Sequence, residues 1–356
     1  MGPEARPDAS PGTGVDVGTD GVTDLVTDLG TDAATVIGDA PLTWVVGAGG
    51  LLGQHVVRAL RPRGALFEAP RVPWADPAAA ARTLEQTARR LVASADGRPW
   101  QVVWCAGAGV TGTSAASFET EHDLLVSALR GLEGPREVMA RGAFFLASSA
   151  GGVYAGAGAS PYDEFSPTRP LADYGWAKLR AEATVTQWAG GGCAVVIGRI
   201  ANLYGPGQNL AKPQGLVSQL CAAHLERRPA SIWVSLDTLR DYIYAPDCAQ
   251  MVLACLDRAR RERAAQATDD SLVVTKILAT QRAITIGAVI AELRRIFRRR
   301  PAVVLGASPV SALQSRDLSL TSRVWPEIDQ RTLTTFPAGV ASTLQDLQQR
   351  LQLRSY

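Results

Sequence analysis

The sequence predicts an α/β protein built on a doubly wound parallel sheet, with a smaller lobe formed mainly by its C-terminal part. Three observations predict it. Short apolar, β-rich runs at 42–46, 101–105, 143–147 and 194–197 alternate with helical stretches near 78–94, 118–131 and 173–188, the rhythm of buried parallel strands separated by helices. The first run ends directly in Gly47-Ala48-Gly49-Gly50-Leu51-Leu52-Gly53 and continues as a helical pattern through Leu60, so it reads strand, tight turn, helix. Beyond about residue 204 the rhythm breaks, and Pro206, Pro213, Pro229 and Pro246 punctuate shorter elements.

Taken in order, residues 1–40 are rich in Gly, Thr and Asp, with Asp16, Asp20, Asp24, Asp28 and Asp32 spaced every four residues. An acidic segment with few large apolar groups cannot repay the entropy of ordering, so a disordered tail is expected, with an acidic interaction arm as the alternative. Residues 41–204, joined by returning segments near 240–258, are expected to form the sheet domain, and 205–356 mainly the lobe. The stretch 64–101 is short for two complete strand and helix units, so one unit should be abbreviated around Arg71-Val72-Pro73-Trp74. The arginine-rich run 294–300 reads as a solvated helix end, where cations favour the negative end of the helix dipole, in preference to a nucleic-acid patch.

Composition narrows the function classes. Apolar residues make up 46% of the chain, enough for a large core, and a net charge of +2 gives no field that argues for nucleic acid or an acidic membrane. The five cysteines are scattered, with no CxxC spacing, and read as small core residues in a reducing compartment. The three histidines, His55, His122 and His224, lie far apart, so no metal site is expected. No apolar run is long enough to cross a bilayer and the start lacks an apolar secretion segment, which gives a cytoplasmic expectation.

Lysine use is selective. Only Lys178, Lys212 and Lys276 occur in a chain whose other cations are arginines, and Lys178 stands four positions after Tyr174. On a helix that spacing puts phenol and ammonium on one face, and a compact ammonium can reach a ribose hydroxyl and help a phenol lose its proton. Gly47, Gly50 and Gly53 suit a diphosphate lying over the next helix: a sharp turn, an unobstructed backbone approach, close helix packing, and the free amides of a helix start.

GxxGxxG followed by YxxxK resembles the short-chain dehydrogenase/reductase superfamily, in its extended branch of nucleotide-sugar epimerases, dehydratases and ketoreductases. Cys105-Ala106-Gly107, Ser148-Ser149-Ala150-Gly151-Gly152-Val153-Tyr154, the segment Arg199-Ile200-Ala201-Asn202-Leu203-Tyr204-Gly205-Pro206-Gly207-Gln208 and Arg240-Asp241-Tyr242-Ile243-Tyr244-Ala245-Pro246-Asp247 match further motifs of that branch in order. The resemblance covers the chain from about residue 42 onward and implies a Rossmann-like dinucleotide-binding domain. It implies that Gly47, Gly50, Leu51, Leu52, Gly53, Arg71, Ala106 and Gly107 hold the cofactor with Tyr174 and Lys178. Tyr174 would be the general base, Lys178 would lower its pKa and hold the ribose, and Ser149 would bind the substrate oxygen. Asn202 and Arg240 would contact the diphosphate of a nucleotide sugar, a role that suits a guanidinium fork. A homodimer is also implied.

The chain departs from the pattern in two places. The hydroxyl residue of many relatives falls on Ala150, so Ser149 must serve from a position that faces the other side of a strict strand, unless the glycines at 151–152 rotate it back. Ala150-Gly151 also replace the Asp-Glu pair of family dehydratases, which speaks against 4,6-dehydration. For the cofactor, Arg71 would neutralise a 2′-phosphate and favour NADP, while Glu68 or Asp76 would serve the ribose of NAD. The expected activity is reversible oxidation of a secondary alcohol of a nucleotide-activated sugar, as a 4-epimerase or 4-ketoreductase. The alternatives are a non-catalytic dinucleotide sensor or scaffold and a reductase of a non-sugar alcohol.

Overall fold

A computed structural model describes residues 2, 40–63, 66–107, 109, 113–211, 215–266, 271–306 and 315–354. The expected acidic tail therefore lies outside the described residues except for Gly2 and Ala40, as does Lys212. In chain order the first elements are β1 (Leu42–Val46), α1 (Leu51–Leu60), α2 (Pro77–Ala95), β2 (Trp100–Trp104), α3 (Ala115–Leu132), α4 (Arg136–Met139), β3 (Gly142–Ser149) and α5 (Ala150–Tyr154). They are followed by α6 (Asp173–Trp188), β4 (Ala194–Ile200), β5 (Asn202–Tyr204), α7 (Leu216–Leu225), β6 (Ala230–Ile232), β7 (Leu239–Arg240) and β8 (Tyr242–Tyr244). The remainder is α8 (Ala245–Ala265), β9 (Leu272–Leu278), β10 (Ile284–Thr285), α9 (Ile286–Phe297), β11 (Val303–Leu305), β12 (Asp317–Leu318), α10 (Pro326–Asp329) and α11 (Phe336–Arg354).

The main sheet runs β1-β2-β3-β4-β9, every pair parallel, with registers such as Val46↔Trp104 and Ser148↔Arg199. Both faces are covered, which is why its strands read as near-continuous apolar runs. Trp44, Val102, Phe144 and Leu146 point into one core with Leu84, Leu91, Leu125 and Val185 of α2, α3 and α6. Val45, Val103, Phe145 and Val196 point into another with Val56 and Leu60 of α1 and Val252 and Leu256 of α8. The doubly wound α/β class read from the sequence is the observed one.

On the far flank of β1 the expected abbreviation appears. Thr43 makes a single parallel bridge to Leu66, and Phe67 N donates to Thr43 O at 2.7 Å. An extended loop over 67–76 then leads straight into α2, whose first turn Asp76 caps by accepting from Ala79 N at 3.0 Å. One strand remnant thus lies on one side of β1 and four full strands on the other. The chain reverses direction across the sheet at β1 and β2, and in open α/β sheets that switch point opens the ligand crevice.

Small sheets, β10-β7-β12, β11-β6 and β5-β8, combine with α7, α9 and α11 to form the lobe around Tyr204, Leu220, Tyr242, Val289, Leu293 and Val340. The chain returns to the main sheet through α8 and again through β9, so the returning segment reaches residue 278. The basic run ends α9, with Arg294 and Arg295 in the last turn. No described helix is long and apolar enough to cross a membrane.

Candidate active site

The glycine turn is dictated by close packing. β1 delivers the chain into Gly47 at φ +83°, where a Cβ would come within 2.7 Å of Ala106 N and 2.8 Å of Cys105 C. Only glycine lets the turn lie against the end of β2. Gly50 N donates to Gly47 O at 2.9 Å, and a Cβ on Gly53 would stand 2.2 Å from the same oxygen, so α1 starts pressed onto the turn. Gly50 caps α1 without any side chain, and the first turn carries no acidic residue, so the opening amides suit an anion. Leu52 is sunk in the core and Leu51 is half-buried, and neither they nor Gly53 line the cavity described below.

α6 supplies the other side. Tyr174 is its second residue and Lys178 follows one turn on, with Nζ donating to Ala147 O at 3.2 Å and lying 5.6 Å from the centre of the Tyr174 ring. Gly107, at φ +148°, brings the end of β2 against that ammonium: a Cβ there would stand 3.7 Å from Lys178 Nζ and 3.6 Å from Glu121 Oε2. Between the turn and α6 lies a cavity of about 320 Å3 that takes in Gly47, Gly50, Ala106, Gly107, Tyr174 and Lys178. Cys105 also lines it, but burial pushes its thiol up to about 12, only partly offset by Lys178, so it is no nucleophile at neutral pH.

Further lining residues carry no motif in the sequence, among them Trp74 in the 67–76 loop, and Phe118, Thr120, Glu121 and His122 on α3. Glu121 accepts from Gly109 N at 2.8 Å, and His122 Nε2 meets Thr184 Oγ1 of α6 at 2.9 Å. Burial lowers the His122 pKa. An i, i+1 pair in an ordinary amphipathic helix gives no warning of such a role.

The remaining site residues lie outside this cavity. Strand alternation holds through Ser148, which faces α6 and donates to Glu182 Oε1, whereas Ser149 is half-buried and accepts from Gly152 N at 3.2 Å as the cap of α5. The glycines at 151–152 continue as helix. A Cβ on Gly152 would lie 3.0 Å from Tyr174 Cε1, so the short helix that Ser149 caps packs on the phenol ring. Ala150 is fully buried. Arg71 is exposed in the 67–76 loop, as is Glu68.

The two lobe-side segments meet each other. β5 pairs with β8, and Asn202 donates through N and Nδ2 to Asp241 O at 2.9 and 3.0 Å. Arg240 is buried and donates through Nη1 to Leu239 O at 2.7 Å. Burial lowers its pKa, opposed by Tyr242 and Asp317. Asp241 is sealed between them, its carboxylate accepting from Thr280 N and Oγ1 and from Arg282 N. Burial raises its pKa against those hydrogen bonds.

Beneath the site runs a buried polar network. Arg199 of β4 forks onto Glu182, Nη2 to Oε2 at 2.7 Å and Nε to Oε1 at 3.2 Å, and its Nη1 donates to Tyr154 OH at 2.7 Å. Tyr154 OH passes a hydrogen bond to Asp163 O at 2.8 Å. Glu182 lies one turn beyond Lys178 on the same face of α6, so the pair anchors the helix that carries Tyr174. Among the described residues no group of His, Cys, Asp and Glu is arranged to hold a metal ion.

Residues 43–268 match the NAD dependent epimerase/dehydratase family. Comparison with curated proteins gave no match. Solved structures of similar fold include MoeE5 in complex with UDP-glucose and NAD, 21% identical with a TM-score of 0.65 over 87% of this chain and 99% of that one. The UDP-glucose 4-epimerase of Thermotoga maritima with UDP-glucose is 19% identical, TM-score 0.69, over 87% and 99%. The UDP-glucose 4-epimerase of Thermus thermophilus with NAD is 19% identical, TM-score 0.67, over 86% and 98%. At these identities the likeness is one of fold.

Proposed function

The chain belongs to the NAD-dependent epimerase/dehydratase family, enzymes of the extended short-chain dehydrogenase/reductase type, and from that premise we propose that it reversibly oxidises a secondary alcohol of a nucleotide-activated sugar. The observation that carries the reading is the shared cavity: the glycine turn, Gly107, Tyr174 and Lys178 all face one space. Their chemistry fits a dinucleotide. The absent Cβ of Gly47 and the uncapped start of α1 leave room and amide donors for a diphosphate, and the Lys178 ammonium suits ribose hydroxyls.

When bound, the nicotinamide takes up or returns a hydride. The chain's part is proton transfer and orientation. Tyr174 would take the alcohol proton, and the Lys178 ammonium beside it would stabilise the negative charge that develops on the phenol oxygen. Ser149, whose Oγ accepts from Gly152 N, keeps a hydroxyl proton to donate, and it positions α5 against the phenol. Asn202 and Arg240 would hold the substrate's diphosphate from the lobe, a reading supported by their closeness, since Asn202 is tied to the backbone oxygen of Asp241, the residue after Arg240.

For the cofactor's ribose the strand remnant supports Glu68 over the register that points to Arg71. The last ladder bond is Phe67 N to Thr43 O, so Glu68 follows the strand end directly, where an acidic side chain serves the 2′-hydroxyl of NAD. We therefore take NAD as the cofactor. A 4-epimerase retains it through the cycle, and a ketoreductase exchanges it.

A second reading, a dinucleotide sensor, is favoured by one observation: Ala150 is fully buried and Ser149, which caps α5, is not among the described residues that line the cavity. Tyr174→Phe separates the two. The enzyme should keep its affinity for NADH over NADPH by titration calorimetry and lose roughly 10²–10⁴-fold in turnover on the responsive member of a panel of UDP-sugars. Turnover that survives the substitution, or a wild-type chain that turns over no nucleotide sugar or alcohol while binding NADH, sinks the catalytic reading.

A further inference from the structure

Trp74 lines the cavity, yet neither the fold nor the proposed chemistry explains it. It is 46% exposed, whereas Trp44 and Trp100 of the sheet are 2% and 1% exposed. A large indole left open to water loses the stabilisation that burial gives its sheet-bound counterparts. Its position is nevertheless fixed: Trp74 N donates to Val72 O and Asp76 N to Pro73 O, each at 3.0 Å, and Asp76 then caps α2. The ring is presented by a hydrogen-bonded turn tied to a 19-residue helix.

Where that turn lies decides what it meets. The 67–76 loop follows the Leu66 bridge on one flank of β1, and Tyr174 and Lys178 stand on α6, which covers β3 on the other flank. From the strand remnant to β3 is three strand spacings, roughly 14 Å, with the glycine turn between. A dinucleotide lies across such a switch point with its diphosphate at the turn. If its reactive ring faces Tyr174, its adenine belongs at the Trp74 end. Among the described residues the sheet has no further strand there whose end would form a wall. An indole offers the flat apolar face on which a purine stacks.

We infer that Trp74 is the stacking wall for the adenine of the bound dinucleotide, standing in for the strand end that the abbreviated unit omits. This rests on the dinucleotide site proposed above. The binding of Trp74→Ala and Trp74→Phe full-length proteins to NADH, NADPH and reduced nicotinamide mononucleotide, which has no adenosine, tests it by titration calorimetry. Trp74→Ala should weaken the preferred dinucleotide roughly 5- to 100-fold, leave the mononucleotide unchanged, and be largely restored by Phe. Undiminished dinucleotide affinity in Trp74→Ala overturns the inference and leaves the site standing. Equal losses for dinucleotide and mononucleotide also overturn it, since the turn rather than the adenine contact would then be at fault. A wild-type chain that binds neither dinucleotide removes the site itself and the inference with it.

Discussion

Lys178 and Lys276 are the two lysines that the structure describes, and each aims a compact ammonium into a confined polar space. Lys178 reaches between Ala147 O and the edge of Gly107, where a planar guanidinium would need more room. Lys276, fully buried on β9, pairs with Asp329 and donates to Ser322 Oγ, which in turn donates to Glu164. Removing one partner of such a pair leaves an uncompensated buried charge, so Lys276→Met should cost about 3–5 kcal/mol at pH 7. The deficit should depend on pH with a definite sign. Burial already raises the Asp329 pKa above 3.8, opposed mainly by Lys276, and without the ammonium it rises further. A carboxyl raised in the folded state gives stability that is complete below its unfolded value and lost as pH climbs through the folded one. Urea midpoints of wild type and Lys276→Met should therefore lie closer at pH 5 than at pH 7. A gap independent of pH would show that Asp329 is not the group left exposed to the loss.

At the level of elements, α6 is a lever with its working end at Tyr174 and its anchor at Glu182. Tyr174, Lys178 and Glu182 follow at intervals of four residues and so form one column. The anchor joins three elements: Glu182 on α6, Arg199 on β4 and Ser148 at the end of β3. The side chains of Arg199 and Glu182 are only 10% and 7% exposed, so water cannot replace a lost partner. Glu182→Gln should lower stability by about 3–5 kcal/mol, because Arg199 keeps its charge in the dry space. A Glu182→Leu, Arg199→Met double variant should be less destabilised than the two single costs added together, since no orphaned ion remains. Thermal unfolding of the four proteins checks this, and strict additivity would mean that the two groups hold α6 independently.

Across the whole molecule, strands that fill the sheet centre were legible because burial on both faces makes them short apolar runs, as in Ala194–Ile200. β9 is not legible in the sequence, since Lys276 interrupts Leu272–Leu278 and only its pairing with β4 reveals a strand. The cavity's glycines and the Tyr174–Lys178 pair were legible through spacing. Trp74, Glu121 and the Glu182–Arg199 anchor were not, because tertiary packing alone brings them to the site. The junction of sheet and lobe was equally hidden, and it turns on His55. That ring, 3% exposed on α1, donates from Nε2 to Pro206 O at 3.0 Å, and its Nδ1 faces Arg58 Nη1 at 3.5 Å. Beside it Gln54 Nε2 donates to Gly207 O, while Gly207 N donates to Asp346 of α11. Burial lowers the His55 pKa below 6.5, the Pro206 bond opposing and Arg58 reinforcing the shift, with Asp346 opposing it. A group depressed in the folded state gives stability present above its unfolded value and lost as pH falls through the folded one. Protonation would also set a second positive charge against Arg58. His55→Gln keeps a donor for Pro206 O and cannot titrate. The thermal midpoint of wild type should thus fall more steeply than that of His55→Gln between pH 7 and pH 5. His122, His224 and the carboxylates are common to both proteins and cancel in the difference. Parallel pH profiles would mean that the junction does not depend on a neutral imidazole.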